Sequence, residues 1–160
     1  MYPLTYATEN FIKSLELAQR TAALAGTSFV GSEHFIYAFL CLPECSAYGI
    51  LYREGVVREE YGKFFSMKVD KAFSGKGLTV RTQNMYDQAV VKADKMGMKA
   101  GTAHMLFEIL NTPDCLAVSF LKQFAYIENL KIKTVETIHS LKNRSQFGEQ
   151  IGRASCRERV

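Results

Sequence analysis

Cysteine is scarce and unpatterned in this sequence. Four cysteines occur among 160 residues, none in a C-x-x-C pair, and no histidine pair lies near Cys41 and Cys45 to complete a zinc site. We therefore expect reduced thiols, with Cys45 and Cys115 as small core residues.

Long apolar runs are also missing, since the longest, 35–42, is far shorter than the roughly 20 residues of a membrane span. Because the N-terminus lacks a basic segment followed by an apolar one, we expect a soluble, non-secreted, cytoplasmic protein.

Signatures of catalysis are missing too. No G-x-x-x-x-G-K-[ST] phosphate-binding loop occurs, and the "SGKG" at 74–77 has neither the length nor the following hydroxyl residue. No nucleophile, base and orienting residue form a recognisable set, and no metal-ligand spacing is present. We expect no catalytic residues, no metal site and no cofactor, so that this chain is not an enzyme.

The excess of positive charge comes largely from the C-terminal residues. The last ten, "IGRASCRERV", are arginine-rich without an apolar period and resemble the in-frame translation of a sequencing-library adapter. Without their three arginines and one glutamate, the formal net charge falls from +4 to +2. We expect 148–160 to be a non-native tail; the alternative is a natural basic tail. With the tail set aside, the electrostatic case for nucleic acid is weak.

A stretch of eighteen residues occurs twice. "VGSEHFIYAFLCLPECSA" at 30–47 aligns without a gap to "AGTAHMLFEILNTPDCLA" at 100–117. Such a match indicates an internal duplication. The identical pairs are Gly31/Gly101, His34/His104, Leu40/Leu110, Pro43/Pro113, Cys45/Cys115 and Ala47/Ala117.

An amphipathic helix is predicted before each copy. Apolar and small residues step by four and three positions from Phe11 to Ala25, and the same steps run from Thr82 to Met96. The stripes end at Gly26 and Gly97, which are suitable helix C-caps. The duplication therefore includes the helix that precedes the repeated stretch.

The repeated stretch itself predicts a second and a third helix. Ser32 and Thr102 are good N-caps for the apolar helices that follow them. Pro43 and Pro113 end those helices, because proline disfavours helical geometry in the residue before it. A short third helix then begins near Ala47 and Ala117 in the two copies.

A fourth helix closes each unit, around 59–65 in one copy and 130–141 in the other. One such unit exposes an apolar face, so the two copies should pack together. The predicted fold class is all-α, with two pseudo-twofold-related four-helix repeats packed as one domain. The predicted boundaries are 1–147 for the domain, 5–66 for repeat one, 67–77 for the linker and 78–147 for repeat two.

These features resemble a known family. The segment "TENFIKSLELAQRTAALAGTSFVGSEHFIYAFL" at 8–40 is similar to the first repeat of the Clp N-terminal domain of ClpA- and ClpC-type AAA+ unfoldases, with ClpC the better match. The second copy opens with "LTVRT" at 78–82, similar to the family's second helix start. The resemblance covers residues 5–141, and its specificity lies in the paired G-[ST]-x-H turns.

The resemblance implies a function. It implies the substrate- and adaptor-recognition domain of an ATP-dependent Clp protease ATP-binding subunit, here without the ATPase modules. ATP and Mg would belong to the parent protein. The implied partners are adaptor proteins, unfolded or arginine-phosphorylated substrate proteins and, through the missing modules, a Clp peptidase. No membrane partner is implied. The alternative is a free-standing helical regulator or nucleic-acid-binding protein that reuses the fold.

The resemblance also implies a phosphoarginine site. In ClpC-type members the turn glutamate and the threonine that opens the first helix are implicated in binding, which carries over to Thr8 and Glu33, and the Ser32 hydroxyl stands next to Glu33 at the same helix start. A carboxylate can accept a bidentate guanidinium, and helix-start N–H groups can hold the attached phosphate. A carboxylate in the first helical turn also stabilises a helix without any ligand. Glu33 is therefore either a ligand residue or a helix-start residue.

The second copy predicts a degenerate second site. Thr79 and Thr102 keep the hydroxyls, but Ala103 stands where the glutamate should be. The histidines of the two turns, His34 and His104, lack a carboxylate or thiol at fixed spacing, so we expect them to lock the turns by hydrogen bonds.

Overall fold

The computed structural model describes residues 1–65 and 77–151, the last seven of these as backbone only. Its helices follow the same order in each half and confirm the all-α, duplicated four-helix prediction. The first repeat contains α1 (Glu9–Leu24), α2 (Ser32–Leu40), α3 (Ser46–Arg53) and α4 (Arg58–Tyr61), and the second contains α5 (Val80–Lys95), α6 (Thr102–Leu110), α7 (Leu116–Leu121) and α8 (Ile127–Ile151). Nearly all of the predicted linker, and residues 152–160 of the predicted tail, lie outside the described residues.

The first helix of each repeat has the predicted ends. Thr8 and Thr79 are the N-caps, and each Oγ1 accepts the backbone N–H three residues later, at 3.2 and 3.1 Å. Gly26 and Gly97 follow the helices with φ of 77° and 74°. This left-handed conformation strains any residue with a Cβ, which explains the glycines.

The N-caps of the second helices differ from the prediction. Gly31 and Gly101 are the caps, while Ser32 and Thr102 are the first helical residues and make no cap bond. The Thr102 hydroxyl instead accepts the backbone N–H of Ala47 at 3.1 Å, which joins α6 to the start of α3 in the other repeat. The prediction was wrong because both hydroxyl residues lie one position inside their helices, and the Thr102 hydroxyl is engaged in a long-range contact.

The two repeats exchange backbone hydrogen bonds across their interface. Ala100, just before α6, makes two bonds of 2.8 Å with the segment that leads into α1. Val30, just before α2, makes bonds of 2.9 and 3.0 Å with the segment that leads into α5. Each first helix therefore begins beside the turn of the opposite repeat, as a pseudo-twofold axis requires.

The fourth helices differ most between the repeats. α4 is one turn long and continues as a 3₁₀ turn, Gly62–Phe64, whereas α8 is a helix of 25 residues. Tyr61 is the last residue of α4, and its fully buried ring contacts aromatic rings from both repeats, which joins the repeats through a common core. These rings are Phe64, Phe65, Phe120 and Phe124. Cys45 and Cys115 are buried, which confirms the prediction that they are core residues.

Candidate functional site

Two recesses lie at the paired segments between the repeats. The first recess combines the turn of α2 with the start of α5, and the second combines the turn of α6 with the start of α1. The first recess is lined by Thr27, Phe29, Gly31, Ser32, Glu33, His34, Thr79, Arg81, Thr82, Cys115 and Leu116. The second is lined by Thr8, Asn10, Glu44, Ser46, Met98, Lys99, Gly101, Thr102, His104, Leu141 and Arg144.

The predicted site residues are grouped differently by the fold. Ser32 and Glu33 share the first recess with Thr79, not with Thr8. Thr8 lies in the second recess with Thr102. A Cβ on Gly101 would lie 3.7 Å from Oγ1 of Thr8. The fold does not bring Thr8 into the recess of Ser32 and Glu33, because the pseudo-twofold axis brings each helix start to the opposite turn.

Glu33 folds back over its own turn. Its carboxylate lies so close to Gly31 that a Cβ there would clash with Oε1. The Glu33 side chain is 17% exposed, and Oε2 lies 4.0 Å from Nε2 of His34. From the core, the Tyr61 hydroxyl donates to the Glu33 carbonyl oxygen at 3.0 Å. The hydrogen bond from Tyr61 fixes the backbone of Glu33, and this backbone places the carboxylate at the recess.

Arg81 is a residue of the first recess that sequence reasoning missed. It lies in the first turn of α5, and its guanidinium donates to Oδ2 of Asp114 at 3.1 Å. The arginine was visible in the "LTVRT" helix start, but only the crossing of the repeats brings it near Glu33. The first recess therefore contains both a carboxylate and a guanidinium.

The second recess has lost both of these charges. Ala103 occupies the position of Glu33, and Asn10 occupies the position of Arg81 at the start of α1. Its charged lining residues are Glu44, Lys99 and Arg144. The two recesses are related in backbone but not in chemistry.

Both turn histidines lock their turns. Nδ1 of His34 accepts the Gly31 N–H at 2.9 Å, and Nδ1 of His104 accepts the Gly101 N–H at 3.0 Å. This confirms the predicted structural role and places the proton of each neutral ring on Nε2. Burial lowers the pKa of His34, and the Glu33 carboxylate offsets part of this effect. Burial also lowers the pKa of His104, to about 4.

We expect His104 to make the fold sensitive to acid. Its folded pKa of about 4 is below the ordinary value of 6.5, so its contribution is complete above pH 6.5 and is lost as the pH falls towards 4. From pH 7 to pH 5 this amounts to a loss of about 2 kcal/mol. His104→Asn, whose amide oxygen can still accept the Gly101 N–H, should have a flatter pH profile of the free energy of unfolding in urea. An unchanged profile would contradict this assignment. The lowered pKa of His34 also reduces stability in acid, and it does so equally in the unmodified chain and in His104→Asn.

An apolar cavity of about 270 Å³ lies beside His104, between α5, α6 and α8. In the first repeat, the Phe65 ring stacks on the imidazole of His34, the counterpart of His104, with centroids 5.5 Å apart. In the second repeat, Nε2 of His104 is buried and has no hydrogen-bond partner among the residues that the structure describes. The cavity is lined by Ala89, Lys92, Met96, His104, Phe107, Glu108, Val135, Ile138, His139 and Lys142.

Metal-ligand clusters and membrane-spanning helices are both absent from the described residues. No group of three or more His, Cys, Asp or Glu side chains in this part of the chain is placed to hold a metal ion. Among the helices of the same residues, none has the length and apolar character needed to cross a membrane.

The fold is that of known chaperone domains. The N-terminal domain of the caseinolytic protease associated chaperone ClpD from Arabidopsis thaliana superposes with a TM-score of 0.71 at 15% identity, over 86% of this chain and 97% of that one. The Hsp104 N-terminal domain from Candida albicans gives 0.65 at 14% identity, over 82% and 90%. The N-domain of ClpV from Vibrio cholerae gives 0.62 at 14%, over 80% and 82%. No protein-family model and no curated protein matches the sequence.

Proposed function

We propose that this chain is the substrate- and adaptor-recognition domain of a ClpC-type unfoldase, and that its first recess binds phosphoarginine on substrate proteins. The observation that carries this proposal is the Glu33 carboxylate at the recess, beside hydroxyl groups and the start of a helix. In this role the chain itself catalyses no reaction. ATP, Mg and the contact with a Clp peptidase would belong to other modules of a cytoplasmic parent protein.

The chemistry of the first recess suits phosphoarginine. Glu33 can accept two N–H bonds from a guanidinium, a strong charge-assisted arrangement. The hydroxyls of Ser32 and Thr79 and the first-turn amides of α2 can donate to a phosphate. The proposed site is therefore Ser32, Glu33 and Thr79, while Thr8 and Thr102 line the second recess, which has Ala103 in the place of Glu33.

The apolar cavity supports recognition of unfolded substrates by the same domain. Unfolded proteins expose apolar side chains, and burying one contributes about 1.5–3 kcal/mol. The first repeat supports an aromatic group, because the Phe65 ring there packs against His34 and Tyr37, the counterparts of His104 and Phe107. We infer that an aromatic side chain of a substrate or adaptor protein enters the cavity beside His104.

Titration calorimetry with free phosphoarginine tests the proposal directly. We expect binding with a stoichiometry near one, because only the first recess has a carboxylate in the first turn of its helix, where Ala103 replaces Glu33 in the second. Two equal sites, or no heat of binding at millimolar phosphoarginine, would overturn the assignment.

The two capping glycines provide a matched pair of substitutions. Gly31→Ala places a Cβ against the Glu33 carboxylate, whereas Gly101→Ala meets its nearest atoms at 3.7–3.8 Å, an ordinary contact. Both positions have extended backbone that alanine adopts readily. We expect Gly31→Ala to weaken phosphoarginine binding about tenfold with little change in stability, because the displaced group is the end of a flexible side chain. Gly101→Ala should bind like the unmodified chain; equal effects of the two substitutions would mean that the position of the carboxylate does not matter.

A further inference from the structure

We propose that Arg81 binds the phosphoryl group in the first recess and that Asp114 competes with the ligand for it. This inference rests on the proposed function, since it assigns the second half of the same ligand. Phosphoarginine joins a guanidinium to a phosphoryl group, so a specific site needs a carboxylate and a cation at a fixed separation. Glu33 supplies the first of these groups and Arg81 the second.

The position of Arg81 supports this role. It lines the first recess together with Ser32 and Glu33, although it comes from the opposite repeat. It lies two residues after the N-cap of α5, at a helix start where negative charge is favoured. Arginine also presents a planar fork of N–H groups that matches phosphate oxygens in a bidentate contact.

The second recess provides an internal comparison. It has the same backbone framework, yet Asn10 replaces Arg81 and Ala103 replaces Glu33. The pair of Glu33 and Arg81 is present in one recess and replaced at both positions in the other, where the charged residues Glu44, Lys99 and Arg144 stand at different positions. A ligand that carries only a cation would require only the carboxylate, whereas a ligand with both charges requires the pair.

Asp114 explains how Arg81 is held without the ligand. Their contact of 3.1 Å is exposed, with 50% of the Arg81 and 73% of the Asp114 side chain accessible. Exposed pairs of this kind are weak, because water screens the charges and the side chains lose freedom. A phosphoryl group of higher charge can therefore take the guanidinium from Asp114.

The test compares two ligands, phosphoarginine and arginine, by NMR chemical-shift titration, which measures weak affinities. Arg81→Gln should weaken phosphoarginine binding by about ten- to a hundredfold and leave arginine binding unchanged. Asp114→Asn should strengthen phosphoarginine binding by about two- to fivefold, because it frees the guanidinium. Arg58→Gln is the matched control, since Arg58 is a half-exposed arginine paired with Glu59 outside the recess.

The outcomes separate this inference from the proposed function. If Glu33→Ala weakens phosphoarginine binding and Arg81→Gln does not, the recess binds the ligand but Arg81 does not hold its phosphate. Equal losses for phosphoarginine and arginine in Arg81→Gln would also overturn the assignment. If the unmodified chain does not bind phosphoarginine at all, both proposals are wrong.

Discussion

Replacing Glu33 with alanine should weaken phosphoarginine binding by about ten- to a hundredfold, measured by titration calorimetry. The loss of a charge-assisted hydrogen bond costs roughly 1.5–3 kcal/mol, which gives this range. The fold should survive, because the Glu33 side chain is at the recess, and the contact with the Tyr61 hydroxyl uses the backbone carbonyl, which alanine keeps. The first-turn carboxylate itself stabilises α2 by only about 0.3–1 kcal/mol.

Glu44→Ala is the matched control for this experiment. Glu44 is a carboxylate of the second recess, and its removal changes the net charge equally. Binding by this variant should equal binding by the unmodified chain. Undiminished binding by Glu33→Ala would show that Glu33 is only a helix-start residue, and a loss in Glu44→Ala alone would place the ligand in the second recess.

Tyr61→Ala should destabilise the domain by about 3–5 kcal/mol, the range for large aromatic residues truncated in a core. Its ring is completely buried and contacts Phe120 and Phe124 of the second repeat as well as rings of its own. The cavity left by the missing ring would remove packing contacts between the two repeats. For a domain of this size we expect a fall in melting temperature of about 6–20 °C, measured by circular dichroism.

Tyr61→Phe separates packing from hydrogen bonding. It keeps the ring and removes only the hydroxyl that donates to the Glu33 carbonyl at 3.0 Å. Because a typical hydrogen bond contributes about 0.5–1.5 kcal/mol, this variant should be much more stable than Tyr61→Ala. Similar losses in the two variants would contradict the view that the aromatic cluster joins the repeats by packing.

The helix ends, the turns and the buried helix faces can be predicted from the sequence, because they depend on residues that are close together in the chain. Gly26 and Gly97 end helices because only glycine adopts their positive φ without strain. The paired turns reveal the duplication and predict the hydrogen-bonding role of His34 and His104. The apolar stripes likewise predict which faces are buried, so the all-α, two-repeat architecture follows from the order of residues.

The composition of the site could not be read in this way. Sequence alignment groups residues by copy, whereas the pseudo-twofold axis groups the turn of one copy with the helix start of the other. Thr8 therefore lies in the second recess, and the first recess is lined by Thr79 and Arg81 together with Ser32 and Glu33. The cavity beside His104 is also a tertiary feature, because it depends on how α8 packs against α5 and α6. In the first repeat, by contrast, the Phe65 ring packs on His34. The sequence by itself determined the helices, the turns and the duplication, since these depend on local hydrogen bonds and periodicity; only the tertiary structure decided which charges face each other, because that depends on how the two repeats are docked.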